Sequence, residues 1–220
     1  MCGRYTWKKN SLGQFKKLVK EPAPNVEPNF NRAPGQTHPV IISHNGYAKW
    51  EEMIWGSPKT NKSADFFPIN ARSETVADKL IFQESFSETR CLIPADGWFE
   101  WQVIEGTKYP HFISSEQNEV FAFAGIWKKF LGPDSSKTVF SVLTLSAPSN
   151  TLHIHHRAPM ALTEAHWRNW LNGDHEQLSS LLQSDQPKWN AMQVSSRVNS
   201  TRNNDPKLLD PFSGKQSLLF

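Results

Sequence analysis

The second residue of the chain, Cys2, can offer two nucleophiles at once. Methionine aminopeptidase normally removes an initiator Met that precedes a small residue, and Cys2 would then carry a free α-amine and a thiol. These groups have pKa values of roughly 7.7–8.0 and about 8.5, so both are partly nucleophilic at neutral pH. Such a pair attacks an aldehyde in two steps, because the amine forms a Schiff base and the thiol then closes a five-membered ring. Taken alone, a Cys at this position is more often an accident of sequence.

Two nearby segments add polar groups that could bind a substrate. In Cys2-Gly3-Arg4-Tyr5, the cation Arg4 can lower the pKa of the thiol and hold a phosphate, or it can be a solvated surface charge. The stretch from Asn29 to Gly35 is polar and rich in turn formers. Asn31 could bond substrate or backbone, and a turn-forming role is the commoner one for Asn.

A third polar segment runs from Ile69 to Thr75. Asn70 offers two donors and an acceptor to a ligand. Arg72 lies near a predicted helix start, where an anion is favourable. The alternative is that the segment only starts a helix, with Ser73 as its cap.

A carboxylate within an aromatic segment is a candidate for proton transfer. Alternation in a strand would place Trp98 and Glu100 on one face and Phe99 and Trp101 on the other. Burial among rings would make Glu100 a usable general acid or base. The alternative is an edge-strand Glu that points to water, and the flanking rings favour the functional interpretation.

Three of the eight histidines lie together in His153-Ile154-His155-His156. His155 is a candidate acid–base group, and Arg157 is a candidate phosphate contact. One alternative is a solvated loop, and another is a zinc site, since three His can bind zinc. No acidic or Cys ligand lies close in sequence, so we predict neither a metal nor another cofactor.

The composition indicates a folded, mildly basic protein. The 220 residues carry a formal charge of +3, and 38% are hydrophobic, which is typical of one domain with a substantial core. The charge permits nucleic-acid binding without requiring it. Nine Trp predict that some rings lie at the surface or in a cleft. Two cysteines give no disulfide framework, and Cys91 is predicted to be a buried core thiol.

Strand signals dominate the middle of the chain and predict the scaffold. Asn45-Gly46 and Glu105-Gly106 separate alternating segments and predict hairpins. Val120 to Trp127 and Thr138 to Leu145 are predicted core strands. Many strands without a βαβ rhythm predict an α+β fold, in which a single domain has a mainly antiparallel sheet or barrel-like core with short peripheral helices.

Helix signals are few. Capping residues predict four short helices, starting at Asn10 or Ser11, at Ser73 with Val76, Leu80 and Ile81 inward, at Thr163 with an end at Gly173, and at Asp174. Gly56 to Pro68 is predicted to be a surface loop. We expect one domain over 1–220 with an irregular tail from about 199. No signal peptide or membrane segment is evident, which predicts a cytoplasmic protein.

Taken in order, these segments resemble the SOS response-associated peptidase family, also called abasic-site processing proteins. The resemblance covers nearly the whole chain, including a C-terminal stretch from Val194 to Pro211. Any one segment is weak, and six in order make the match specific. The six are Cys2-Gly3-Arg4, Asn31 to Gly35, Trp55-Gly56, Asn70 to Thr75, Asp96 to Trp101, and Ile154 to Pro159.

The resemblance implies a covalent reaction with damaged DNA. Cys2, after removal of Met1, would match the nucleophile that forms a thiazolidine with the ring-opened aldehyde of an abasic site in single-stranded DNA. Asn70 would match the asparagine that holds the opened sugar, and Glu100 the glutamate that assists ring opening, Schiff-base chemistry and reversal. His155 would match the histidine that shuttles protons on the sugar. The predicted DNA-contacting residues are Arg4, Asn31, Pro34, Trp55, Arg72 and Arg157.

The predicted role is to shield abasic lesions during the SOS response, as a monomer that associates with the nucleoid when bound to damaged DNA. One departure concerns the base next to the lesion. Bacterial relatives often place two tryptophans shortly after the Trp-Gly segment, whereas this chain has Ser57 to Lys62 there and Phe66-Phe67 further on. The Phe residues could supply the aromatic wedge that stacks on that base, or the wedge could be weaker in this protein.

Two other functions stay open at this point. A cysteine peptidase would use Cys2, His155 and Asn70 as nucleophile, base and orienting group, with self-removal of the leader residue. A nucleophile at position two leaves no long propeptide to cleave, which weakens that interpretation. A noncatalytic single-strand binder would use only Trp and Arg side chains.

Overall fold

A barrel and a second sheet form the scaffold of the protein. The structure, a computed structural model, describes residues 2–57, 66–117, 120–131 and 136–214. The strands are β1 (Tyr5–Trp7), β2 (Asn29–Arg32), β3 (Thr37–His44), β4 (Tyr47–Trp55), β5 (Asn70–Arg72), β6 (Arg90–Ala95), β7 (Gly97–Ile104), β8 (Thr107–Ser115), β9 (Phe121–Leu131), β10 (Ser136–Ser146), β11 (Arg157–Pro159), β12 (Ala161–Thr163) and β13 (Trp189–Gln193). The α-helices are α1 (Leu80–Glu88), α2 (Glu164–Asn172) and α3 (His175–Leu182), and 3-10 helices span Lys9–Lys17, Ser73–Thr75, Ser196–Asn199 and Pro206–Leu209.

Strand β10 closes the barrel. The order β10-β4-β3-β6-β9 returns to β10, because β9 and β10 also pair with each other. Most pairs are antiparallel, but β10 runs parallel to β4 and then to β5, where Val142 lies opposite Asn70 and Thr144 opposite Arg72. Its end pairs with β11, so that Ser146 lies opposite Arg157. One strand therefore aligns two of the polar segments.

The second sheet has the order β13-β8-β7-β1-β2. Strand β1 pairs with the start of β7, with Tyr5 opposite Trp98, and the amide of Phe99 donates to the carbonyl of Arg4 at 3.0 Å. The β7–β8 hairpin continues to the Glu105-Gly106 turn. This pairing brings the amino-terminal segment next to the strand that carries Glu100.

Alternation along the strands divides the core into three clusters. On β3, Ile41 packs with the residues of α1, α2 and α3, whereas Val40 and Ile42 pack with residues of the second sheet. On β7, Trp98 belongs to the cluster that contains Cys2, and Phe99 belongs to a third cluster with the C-terminal segment. The predicted alternation around Glu100 is thus confirmed.

The predicted α+β fold, with mostly antiparallel strands and short helices around them, is confirmed. Both hairpin turns are present, and Asn45 and Glu105 each have a φ of 49°. Helix α2 lies between the predicted Thr163 and Gly173, and Asp174 caps α3 in a capping box with Gln177.

The helix predicted to start at Ser73 is wrong. A 3-10 helix follows Ser73, and α1 begins only at Leu80, whose side chain is 90% exposed rather than inward. Six of the nine Trp are buried and the other three are half-buried, so most rings build the core and only three are partly exposed, as predicted for some of them. Cys91 is a buried free thiol, as predicted. Among the described residues, no helix is long and apolar enough to cross a membrane.

Candidate active site

The thiol of Cys2 lies inside the protein, just before β1. Its side chain is 0% exposed, and Sγ lies 3.9 Å from the carbonyl oxygen of Arg4. Burial raises the pKa of the Cys2 thiol, and the negative charge of Glu100 raises it further. The thiol therefore keeps its proton at neutral pH and needs a base when it reacts.

The side chain of Asn70 holds the backbone of Cys2. Its Nδ2 donates to the Cys2 carbonyl at 2.9 Å, and its buried Oδ1 has no hydrogen-bond partner among the described residues. The position of Asn70 is set by β10 and by Trp55, whose Nε1 donates to the carbonyl of Ile69 at 2.8 Å. The amide oxygen can therefore accept a hydrogen bond from a bound hydroxyl group.

Glu100 lies on the same face of β7 as Trp98 and is 5% exposed. Its charge acts on the Cys2 thiol and also on His155. A buried carboxylate whose charge acts on both a thiol and an imidazole is suited to accept a proton from one and exchange it with the other.

The imidazole of His155 is oriented by the backbone. The amide of Arg157 donates to His155 Nδ1 at 2.9 Å, while the Arg157 carbonyl lies 3.3 Å from the same nitrogen. Because an amide can only donate and makes the shorter contact, we assign the proton of the neutral ring to Nε2. Burial lowers the pKa of His155, and the charge of Glu100 partly offsets that effect. The ring stacks on His156 with centroids 4.3 Å apart. A neutral ring with Nε2–H can donate to an oxygen of a bound sugar.

Two of the predicted DNA contacts lie at the surface. Pro34 is exposed in a turn that the amide of Gly35 closes by donating to the Trp55 carbonyl at 2.9 Å. Arg72 is exposed at the end of β5, two residues from Asn70. Both positions are open to a ligand next to the site.

Arg4 and Asn31 bind the C-terminal segment of the protein itself. The guanidinium of Arg4 donates to the carbonyl of Val198 at 2.9 Å and to Asn31 Oδ1 at 3.4 Å. Asn31 Nδ2 donates to the carbonyls of Ser200 and Asn203, each at 3.0 Å. Contact of either residue with DNA stays a prediction, and in this structure both anchor the chain around 198–203.

Trp55 and Arg157 lie beneath the surface. Trp55 is fully buried and stacks on Phe140 with a centroid distance of 6.2 Å, so its ring supports the Pro34 turn and Asn70 from below. Arg157 is 8% exposed and forms a bidentate ion pair with Glu74. Any contact of these two with DNA also stays a prediction.

Of the two Phe residues suggested to stack on the base next to the lesion, only Phe66 has an exposed ring. Phe67 is fully buried, with its ring 5.6 Å from that of Phe82, so it cannot stack on a base. Phe66 is partly exposed. Most of the predicted surface loop, residues 58–65, lies outside the described residues.

No group of three or more potential metal ligands occurs within the part of the chain that the structure describes, and this includes the three neighbouring histidines. Two residues near the site were not predicted from the sequence, Glu74 and His111. Glu74 meets Arg157 across 83 residues, and no local signal predicts that contact. His111 lies directly opposite Glu100, a register that the Glu105-Gly106 turn could have predicted.

Known proteins resemble this chain over most of its length. The family described as SOS response associated peptidase (SRAP) matches residues 1–201. Abasic site processing protein YoqW of Bacillus subtilis (strain 168) is 32% identical over 226 residues, which cover 96% of this chain and 99% of YoqW. Abasic site processing protein HMCES of Pongo abelii is 27% identical over 230 residues, which cover 84% of this chain and 65% of HMCES.

Solved structures give the same fold. A crystal structure of a protein from Bacteroides thetaiotaomicron superposes with a TM-score of 0.81 at 24% identity, over 96% of this chain and 100% of the other. The family match extends over most of the chain, and YoqW exceeds 30% identity over nearly its full length. This chain therefore belongs to the SOS response associated peptidase family.

Proposed function

We propose that the chain captures abasic sites in single-stranded DNA as a thiazolidine on Cys2, after removal of Met1. The observation that carries the proposal is the meeting of a buried thiol, an amide, a carboxylate and an imidazole from four separate segments. YoqW and HMCES are named abasic site processing proteins, which supports the choice of lesion. We propose that the protein acts as a single domain and a monomer.

The first step joins the amine to the opened sugar. The α-amine of Cys2 attacks the aldehyde carbon, a C–N bond forms, and the sugar oxygen leaves as water. Both protons of that water come from the amine nitrogen, and His155 donates a hydrogen bond from Nε2–H to the leaving oxygen, because Nδ1 already accepts from the Arg157 amide. Asn70 supports the step by holding the Cys2 carbonyl with Nδ2 while Oδ1 accepts from a sugar hydroxyl.

The second step closes the ring. The sulfur of Cys2 attacks the imine carbon, the S–C bond forms, and one proton moves from sulfur to the ring nitrogen. The raised pKa of the thiol means that little thiolate is present beforehand, so a base must accept this proton as the bond forms. Glu100 is suited to this relay, since its charge acts directly on the thiol. The overall reaction releases one water.

The burial of the thiol argues against peptidase chemistry as the main activity. A cysteine peptidase attacks an amide with a thiolate that is formed in advance by a neighbouring base. Here burial and Glu100 both favour the protonated thiol. An amine that reacts first does not need the thiolate, so aldehyde capture fits these electrostatics better.

The test uses a single-stranded oligonucleotide with one abasic site. The native protein should give a heat-stable, slower-migrating band in a denaturing gel, and Cys2→Ala should not. Because Cys2→Ala keeps an α-amine after Met removal, borohydride should still trap its Schiff base. The matched control is Cys91→Ala, which removes the other thiol and should leave the band intact.

Intact mass of the purified protein completes the test, because an amide nitrogen at Cys2 cannot form a thiazolidine. A heat-stable band from Cys2→Ala without reductant, or from protein that retains Met1, would contradict the proposal. Cleavage of unrelated proteins that depends on Cys2, with no band on abasic DNA, would support a peptidase instead.

A further inference from the structure

An ion pair beside the site has no part in the steps above. Arg157 Nη1 lies 2.5 Å from Glu74 Oε1, and Nη2 lies 2.8 Å from Oε2. Nη2 also donates to the carbonyl of Thr144 and lies 3.3 Å from its Oγ1. The hydrogen bonds from Arg157 lower the pKa of Glu74, so its carboxylate is charged at neutral pH. A buried guanidinium needs such a partner, because an unpaired buried charge is costly.

This pair connects the two segments that carry Asn70 and His155. Glu74 follows Asn70 by four residues, in the 3-10 helix directly after β5. Arg157 follows His155 by two residues, and its amide donates to His155 Nδ1 at 2.9 Å. Thr144 completes the connection, since it pairs with Arg72 of β5 and binds the Arg157 side chain. The orientation of His155 thus depends on a backbone that the ion pair holds.

We propose that Glu74 is a positioning residue of the site, which fixes Arg157 and thereby holds the His155 imidazole in the orientation and tautomer that proton transfer requires. Both terminal guanidinium nitrogens are engaged by Glu74 and Thr144, so Arg157 acts through His155 rather than by binding a phosphate. This inference rests on the proposed function, because the consequence of a misplaced His155 is measured as a slower reaction with abasic DNA.

The test replaces Glu74 by Gln and measures crosslinking at increasing concentrations of abasic oligonucleotide. Misplacing an acid–base group lowers the rate at saturation without weakening binding, and we expect a loss of about tenfold. The half-saturating DNA concentration should stay unchanged. The matched control is Glu84→Gln on α1. It removes a surface ion pair with Lys128 of β9, 3.2 Å away, and this variant should react at the native rate.

A second readout does not depend on the reaction. Nitrogen-detected NMR of the His155 ring should show the Nε2–H tautomer in the native protein and a mixture of tautomers in Glu74→Gln. If Glu74→Gln does not fold, Glu74→Asp is tested instead, because it keeps the negative charge on a shorter side chain. Its rate at saturation should lie between the native rate and about one tenth of the native rate.

Three outcomes would overturn the inference. The first is a Glu74 variant that folds and reacts at the native rate with the native tautomer. The second is an unchanged saturating rate with tighter DNA binding, which would mean that released Arg157 binds phosphate. The third is a native tautomer in a slowed variant. If neither native protein nor Glu84→Gln crosslinks, the proposed function fails, while the tautomer measurement still decides the role of Glu74.

Discussion

Replacing Asn31 by Ala should destabilise the protein while leaving its intrinsic affinity for DNA unchanged. Asn31 is 1% exposed at the end of β2, and its side chain faces the segment around 198–203. Nδ2 lies 3.2 Å from the carbonyl oxygen of Val198 and 3.0 Å from those of Ser200 and Asn203. The Ala variant removes all of these contacts and leaves the carbonyls of Ser200 and Asn203 without this donor, while the Val198 carbonyl keeps its bond from Arg4.

The size of the effect follows from these distances. The side-chain amide of Asn31 has two N–H groups but three carbonyl neighbours. One of its two protons is therefore shared between two carbonyls, and the contacts amount to about two full hydrogen bonds. Oδ1 also accepts a weaker bond from Arg4 at 3.4 Å. At about 1 kcal/mol for each buried hydrogen bond, the free energy of unfolding should fall by about 2 to 3 kcal/mol. For a chain of this length, that loss lowers Tm by about 5–10 °C.

Urea denaturation followed by Trp fluorescence measures the change in unfolding free energy. The matched control is Asn190→Ala, at an exposed position of β13, which should change the unfolding free energy by less than about 0.5 kcal/mol. DNA affinity is measured well below the lower Tm, on unmodified single-stranded DNA. Equal stability of the two variants together with weaker DNA binding by Asn31→Ala alone would refute the reasoning and make Asn31 a DNA contact.

Two further predictions concern the core. Burial lowers the pKa of His38 well below its usual value. Below pH ~6.5 the unfolded chain therefore binds a proton that the native state excludes, so this contribution to stability is full above that pH and falls by up to about 2 kcal/mol at pH 5. Urea titrations above pH ~6.5 and at pH ~5 should show a smaller loss of unfolding free energy in His38→Asn than in the native protein. The Asn amide can still bond to the Tyr5 hydroxyl, so the variant keeps that contact. Equal losses in the two proteins would show that His38 is not the group responsible. A Cβ added at Gly125 would lie 2.3 Å from Ile93 Cδ1, so Gly125→Ala should lower the free energy of unfolding by about 1–3 kcal/mol in thermal denaturation. The control Gly13→Ala, whose added Cβ has no atom within 4 Å, should lower it by nothing. Equal Tm values for the two variants would show that Ile93 moves aside.

Local chemistry made part of the fold predictable. The two hairpins follow from Asn45-Gly46 and Glu105-Gly106, since few residues adopt positive φ at low cost. Helix α3 follows from the capping side chain of Asp174. The alternation of Trp98 and Phe99 between two clusters follows from the period of a strand. Each of these features depends on neighbours within a few residues.

The features that local chemistry did not predict depend on distant partners. Ser73 looked like a helix cap, but the chain there pairs with β10 and turns only briefly before α1. The burial of Trp55 depends on Phe140 and Tyr5, neither of which is near it in sequence. The residues of the candidate site could be named from their types, whereas the ion pair of Glu74 with Arg157 required the structure.

Strand β10 pairs with β4 and then with β5 along the same edge, and this arrangement decides where the chain can tolerate insertions and deletions. Phe140 pairs with Trp55 and Val142 pairs with Asn70, so the chain leaves the ladder and rejoins it almost at the same point. Backbone and hydroxyl bonds between Ser57 and Phe67 close the base of this excursion. Its length can therefore vary without displacing Asn70, because doubling a loop costs only about 0.6 kcal/mol. Evolution, or a protein engineer, can therefore lengthen or shorten the chain between Ser57 and Phe67 while Asn70 keeps its place beside β10.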